Sequence, residues 1–248
     1  MTDQVTFLQT AFWFCALFLG GLVKGTTGFG LPLIALPLLS LILPIPTAIV
    51  TLVLAIFLSN VYLIGREGIK NIDAVRFGPL ILFMIIGIVI GAWFLSAADE
   101  TLIYRALGAI IVAFAILNMT QTRIEVPTER QSLYNPLVGL TAGILGGMST
   151  LMGPILILYL SSLGLAPNVF VATIAFLYLI AVTAITLALA SFEIVTYDEF
   201  SLSLAAIFPV FAGLWIGGKI RRHLTVDRFL VVIDVLLVFM GVSLIAKG

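Results

Sequence analysis

The sequence predicts an all-α, polytopic integral membrane protein, and three observations carry that prediction. Of its 248 residues, 62% are apolar and 10% charged, whereas a soluble domain carries roughly half apolar and about a quarter charged residues. The charges are also confined, leaving uncharged runs from Gln4 to Val23, Gly25 to Gly65, Phe77 to Ala98, Ala106 to Thr122, Gln131 to Phe192 and Phe200 to Gly218. Apolar runs of about 18 or more residues read as membrane spans. Glycines and prolines then cut the longest runs into helix-sized pieces.

The pieces follow in order. The first, residues 5–24, is a permanent helix, because MTDQVTF has no basic region and no small-residue cleavage site follows. The run from Gly25 to Gly65 would be about twice the hydrocarbon thickness as one helix. It must therefore fold back. Gly25, Gly28 and Gly30 break its start, and Pro44 and Pro46 force a turn, which gives segments 29–42 and 46–64. Segments 75–97 and 100–119 complete the first half. In the second, Gly146, Gly147 and Gly153 mark one break and Gly164 and Pro167 the next, giving 134–147, 151–163, 167–190, 200–219 and 226–246. Segments two, six and seven are short for a full crossing, which suits half-helices.

Twelve Lys/Arg balance twelve Asp/Glu, and their placement gives orientation. Arg66, Lys70 and Arg76 sit in one loop, and Lys219, Arg221, Arg222 and Arg228 in another. Asp99 and Glu100 lie in a third, and the loop from Glu193 to Glu199 is acidic. Cytoplasmic loops carry the Lys/Arg excess, so 65–76, 120–132 and 219–228 are expected inside and both termini outside a cell (inner or plasma) membrane. Several functions fall away as well. There is no basic stripe for nucleic acid. One cysteine, Cys15, excludes a disulfide scaffold, and one histidine, His223, excludes a multi-His metal site. Neither a cofactor nor a metal is expected. The buried segments show no clustered His, no Ser with a base and no paired carboxylates, so an enzyme is not expected.

GLVKGTTGFGLP, Gly21 to Pro32, overlies GILGGMSTLMGP, Gly143 to Pro154, at a spacing of 122 residues, and Gly91 with Trp93 overlies Gly213 with Trp215 at the same spacing. This argues for duplication: a first repeat at 1–119, a cytoplasmic linker at 120–132 and a second repeat at 133–248. Five segments per half invert the second relative to the first, and the loop charges change sign between the halves. Inverted repeats with broken helices recur in secondary transporters.

The breaks are the candidate site. Irregular backbone at membrane depth is tolerated only where it is buried in protein or lines a polar cavity. Helix starts attract anions. The candidate substrate-binding residues are Lys24, Gly25, Thr26, Thr27, Gly28, Phe29 and Gly30 at the first break, with Gly147, Met148, Ser149 and Thr150 at the second. Thr26, Thr27, Ser149 and Thr150 would supply hydroxyl donors, and Lys24 a positive charge. Close helix packing is the competing explanation for the glycines, and snorkelling to an interface for Lys24. Arg105 and Asp234 could pair or each reach water. Asn60 and Asn118 suit interhelical hydrogen bonds, Trp93 and Trp215 packing or interfacial positions, and His223 a solvated loop.

Gly21 to Pro32, continuing as LIALPLL, resembles the first signature of the sulfite exporter TauE/SafE family, and Gly139 to Leu160 resembles its second-half signature. Met148 to Met152 stand where that second motif is usually richer in glycine. The resemblance implies a permease for sulfur-containing anions such as sulfite or an organosulfonate, sulfoacetate among them. The expected partners are a small anionic substrate and the lipid bilayer, with a coupling ion left open. Alternating access is the expected mechanism. An anion channel built from the same paired helix starts is the alternative.

Overall fold

The computed structural model describes the backbone of residues 2–68, 70, 72–119, 131–192, 197–221 and 226–248, and the side chains of all these except 2–6, 117–118, 197–199 and 226–233. Ten helices follow one another: α1 (Thr2–Thr27), α2 (Leu31–Ile42), α3 (Ile45–Glu67), α4 (Gly78–Ala97), α5 (Glu100–Met119), α6 (Gln131–Ser149), α7 (Gly153–Ser162), α8 (Pro167–Ser191), α9 (Tyr197–Ile220) and α10 (Val226–Lys247). Five of them, α1, α3, α4, α8 and α9, are long and apolar enough to cross a membrane, while α2 and α7 are short and apolar. The protein is a polytopic helical membrane protein.

The boundaries follow local chemistry. Leu43 is extended, at φ −123° and ψ 153°, because the residue before a proline is pushed out of the α region. Pro32, Pro79, Pro154 and Pro167 each stand at one of the first two positions of a helix, where the missing N–H removes no helical bond. Segment six differs from expectation: α6 has 19 residues, about 28 Å at 1.5 Å per residue, so it is not a half-helix by length. Its glycines do not break it because they are contact surface. A Cβ on Gly143 or Gly147 would lie 2.2 Å from the carbonyl oxygen of Met84 or Ile88 in α4.

The chain forms two compact units, one of residues 1–55, 100–120 and 197–248 and the other of 56–99 and 121–196. They partition the chain differently from the halves expected from sequence. In the first unit α1 packs on α9 and α2, and α10 packs on α5 and α2; in the second α4 packs on α6 and α8, and α7 meets α6 and α8. The principal pair of each unit is built from glycines. Gly21 and Gly25 of α1 press on the backbone of Val210 and Leu214, while Gly213 and Gly217 of α9 press on Phe18 and Leu22. In the second unit Gly143 and Gly147 press on Met84 and Ile88, while Gly87 and Gly91 press on Leu140 and Ile144. Small residues let helix backbones approach closely where lipid provides no hydrophobic drive to associate.

These contacts also correct an alignment. Phe18 and Leu22 stand 122 residues before Leu140 and Ile144, but the glycines that meet them are Gly213 and Gly217 in one unit and Gly87 and Gly91 in the other, 126 apart. The correspondence is thus Gly87 with Gly213 and Gly91 with Gly217. Matching Gly91–Trp93 with Gly213–Trp215 is one helical turn out of register. Trp93 and Trp215 are 58% and 60% exposed, as lipid-facing or interfacial residues would be, and Lys219 Nζ sits 3.4 Å from the Trp215 ring centroid.

Candidate functional site

Each unit contains one interrupted helix pair, and the two interruptions are built alike. In the first, α1 ends at Thr27 and Gly28 adopts φ 90°, so that its N–H donates to the Lys24 carbonyl at 2.8 Å. In the second, α6 ends at Ser149 and Thr150 adopts φ 60°, its N–H donating to the Gly146 carbonyl at 2.6 Å. Both are left-handed helix stops. Thr27 Oγ1 has the Phe29 carbonyl at 2.7 Å and the Val23 carbonyl at 2.9 Å as acceptors for its one proton, and accepts from the Phe29 N–H at 3.2 Å. Ser149 Oγ donates to the Leu145 carbonyl at 2.7 Å and accepts from the Leu151 N–H at 3.4 Å. The next helix then starts from the Gly30 or Met152 carbonyl, which accepts from Ile34 or Leu156. Every one of these pairs keeps the spacing of 122.

The expected hydroxyl donors are spent inside this construction. Besides Thr27 and Ser149, Thr26 Oγ1 lies 2.8 Å from the Val23 carbonyl and Thr150 Oγ1 2.6 Å from the Ser149 carbonyl. A hydroxyl has one proton to give, so each must turn away from a carbonyl before donating to an anion. Gly25 and Gly147 lie within α1 and α6 as packing glycines. Met148 ends the α6 contact, its N–H 3.0 Å from a Cβ built on Gly91. Phe29 and Gly30 complete the first turn, Gly30 at φ 89°.

The breaks differ in what surrounds them. Lys24 is 2% exposed, so it does not snorkel to the protein surface. A buried ammonium in a membrane segment is costly and points to function. Its counterpart at spacing 122 is Gly146, beside which Met152 packs, its Cε 3.1 Å from a built Cβ. At α2 the helix-capping residue, Gly30, has no side chain. At α7 the Tyr178 hydroxyl lies against Gly153 and is hydrogen-bonded to its backbone. Tyr178, 4% exposed in α8, was not foreseen from the sequence. Lying 25 residues beyond Gly153 on an apolar helix, it gives no local signal.

The other singled-out residues take varied places. Arg105 is exposed whereas Asp234 is buried. Asn60 Nδ2 donates to the Ile56 carbonyl at 2.8 Å within its own helix. The side chain of Asn118 and all of Arg222 and His223 lie outside the described residues. Among the described residues no group of three His, Cys, Asp or Glu is placed to hold a metal.

Helices with exposed apolar exteriors, two of them too short to cross, define a multi-pass membrane protein with a buried lysine at one break. A family model described as sulfite exporter TauE/SafE matches residues 13–244, and the chain belongs to that family. No curated protein and no solved structure matches it.

Proposed function

We propose that this chain is a secondary transporter that moves a small sulfur oxyanion, sulfite or an organosulfonate such as sulfoacetate, by alternating access. The principal binding station in this reading is the first break. Lys24 supplies charge, and the turn Gly28 to Gly30 brings the start of α2 to a depth where water does not compete. Of the first three residues of α2, Leu31 and Leu33 carry amide protons and Pro32 none. A sulfonate offers several acceptor oxygens, and a cation with backbone donors suits it. The second break, Ser149 to Thr150, adds contacts of lesser weight, since its hydroxyls are engaged and the Tyr178 hydroxyl bonds the backbone at its helix start. The observation that carries the reading is the burial of Lys24 in an otherwise uncharged helix end.

Uptake of sulfite, sulfoacetate, taurine and thiosulfate into proteoliposomes, with and without a pH gradient, tests it. Saturable flux of sulfite or sulfoacetate that is lost in Lys24→Met is the expected result. Movement of none of the four overturns the substrate class, and flux at channel rates without counter-transport overturns alternating access.

The same reading places both termini outside. On a Cys15→Ser background, a cysteine at Asp73 should label only from the cytoplasm and one at Ser96 only from outside; the converse pattern inverts the orientation.

A further inference from the structure

The basic loop before α4 has so far served only to orient the chain, but Arg76 is held as a binding arginine is held. Gln131, in the first turn of α6 and 8% exposed, accepts from Arg76 Nε at 2.9 Å. One turn on, Asn135 Nδ2 donates to the Arg76 carbonyl at 3.0 Å. Tyr159 of α7 donates to Asn135 Oδ1 at 2.5 Å, and Asn135 and Tyr159 are 3% and 4% exposed. The guanidinium also lies 5.6 Å over the Phe77 ring. Three buried polar side chains from two helices thus fix both the backbone and the head of one half-buried arginine.

What they leave over is a set of donors. Among the described residues only Nε of the guanidinium is hydrogen-bonded, and its two Nη groups meet no acceptor. Gln131, 8% exposed as a residue, gives its Oε1 to Arg76, and Nε2 on the same planar head meets no acceptor among the described residues and stays open to solvent. Asp73 accepts from the Arg76 backbone N–H at 3.1 Å, and Glu67 pairs with Arg66. An arginine kept for structure spends its fork on carboxylates or carbonyls. Here the fork is positioned, stacked and, among the described residues, left without an acceptor beside a second donor open to solvent, an arrangement that suits a planar or tetrahedral oxyanion.

We propose that Arg76 and Gln131 form an oxyanion-binding site, separate from the first break, for a sulfate-like or phosphate-like group. The source is either a free anion or the phosphate of an anionic lipid headgroup; the chemistry recognised is the same.

The test uses the full chain and thermal unfolding at constant ionic strength. Lipid-depleted protein in neutral detergent is titrated with sulfate, and protein in nanodiscs of phosphatidylglycerol is compared with protein in phosphatidylcholine. Stabilisation by sulfate in detergent identifies a free anion as the source; stabilisation by phosphatidylglycerol alone identifies the lipid phosphate. In either case Arg76→Gln should weaken the response by about tenfold or more, the scale of one charge-assisted contact. Gln131→Glu guards against simple misfolding. Its carboxylate keeps the bond to Nε and fills the fork, so this variant should melt higher than the wild type and yet lose the response. Lys24→Met should keep it, so failure of the transport reading and failure of this one are told apart. A wild-type response retained in Arg76→Gln, a response retained in Gln131→Glu, or no response to either probe overturns the site.

Discussion

The turn at Gly28 and the turn at Thr150 are the same piece of backbone made from different residues, and the difference separates architecture from chemistry. Both stop a helix in the left-handed region, brace the stop with a Thr or Ser hydroxyl four residues after the carbonyl it bonds, and restart on a proline-bearing helix. What is not repeated is Lys24, the glycine at 28, the glycine at 30 and the tyrosine over Gly153. Backbone geometry common to both breaks is therefore what the fold needs. The charged, uncapped version in the first unit is where we place the substrate.

The largest expected effect comes from breaking that asymmetry at its charge. Lys24→Met should lower transport efficiency about 100-fold, the worth of one charge-assisted contact of nearly 3 kcal/mol in a dry site, with expression and melting temperature close to wild type. Gly146→Ala, at the matching position, meets the Met152 side chain, Cε at 3.1 Å and Cβ at 3.3 Å, and should change flux by less than about threefold, within the loss of a minor packing adjustment. Equal loss in both variants, measured in proteoliposomes, would mean that the position matters and the charge does not.

Next in size is an exchange at the left-handed residue. A β-branched side chain at φ 60° is an outlier that costs about 1–3 kcal/mol, and Thr150 is the one non-glycine residue with positive φ among the described residues. Thr150→Gly should therefore stabilise the protein by about 1 kcal/mol, the strain relieved less the entropy a glycine loses on folding. Gly28→Thr should destabilise it by about 1–3 kcal/mol. Reversible unfolding in detergent measures both. If Thr150→Gly is destabilising, the buried methyl and the bond to the Ser149 carbonyl outweigh the strain, and the two turns are less alike energetically than geometrically.

Much of this was legible in the sequence. Helix ends sit within about three residues of expectation because Pro44, Pro46, Pro79 and Pro167 act locally, on φ and on the missing N–H. The spacing of 122 was visible for the turns because their hydrogen bonds run between residues four or fewer apart. Two things were not legible. Gly147 reads as a break although it continues a helix, because a glycine that frees the backbone and one that admits a neighbouring helix look identical until the neighbour is known. The four-residue register change between α4 and α9 was hidden by a chance coincidence of Gly and Trp. Tyr178 and the Arg76–Gln131–Asn135–Tyr159 cluster join residues far apart in the chain, and no periodicity marks such pairs.

The smallest effect sharpens the comparison most. Tyr178 bonds the backbone of Gly153 at the start of α7, the place where the first unit keeps its α2 start without a side-chain cap. Removing the hydroxyl in Tyr178→Phe leaves a buried N–H without its partner, which should cost about 1 kcal/mol of stability. If the second break only contributes shape, KM for the transported anion should stay within about twofold of wild type, a change of less than half a kcal/mol. A KM that falls in this variant would carry a different meaning. It would show that the freed α7 start accepts an anion oxygen and that Tyr178 competes with substrate for it. Both turns would then be binding stations, with the tyrosine as a stopper on the second.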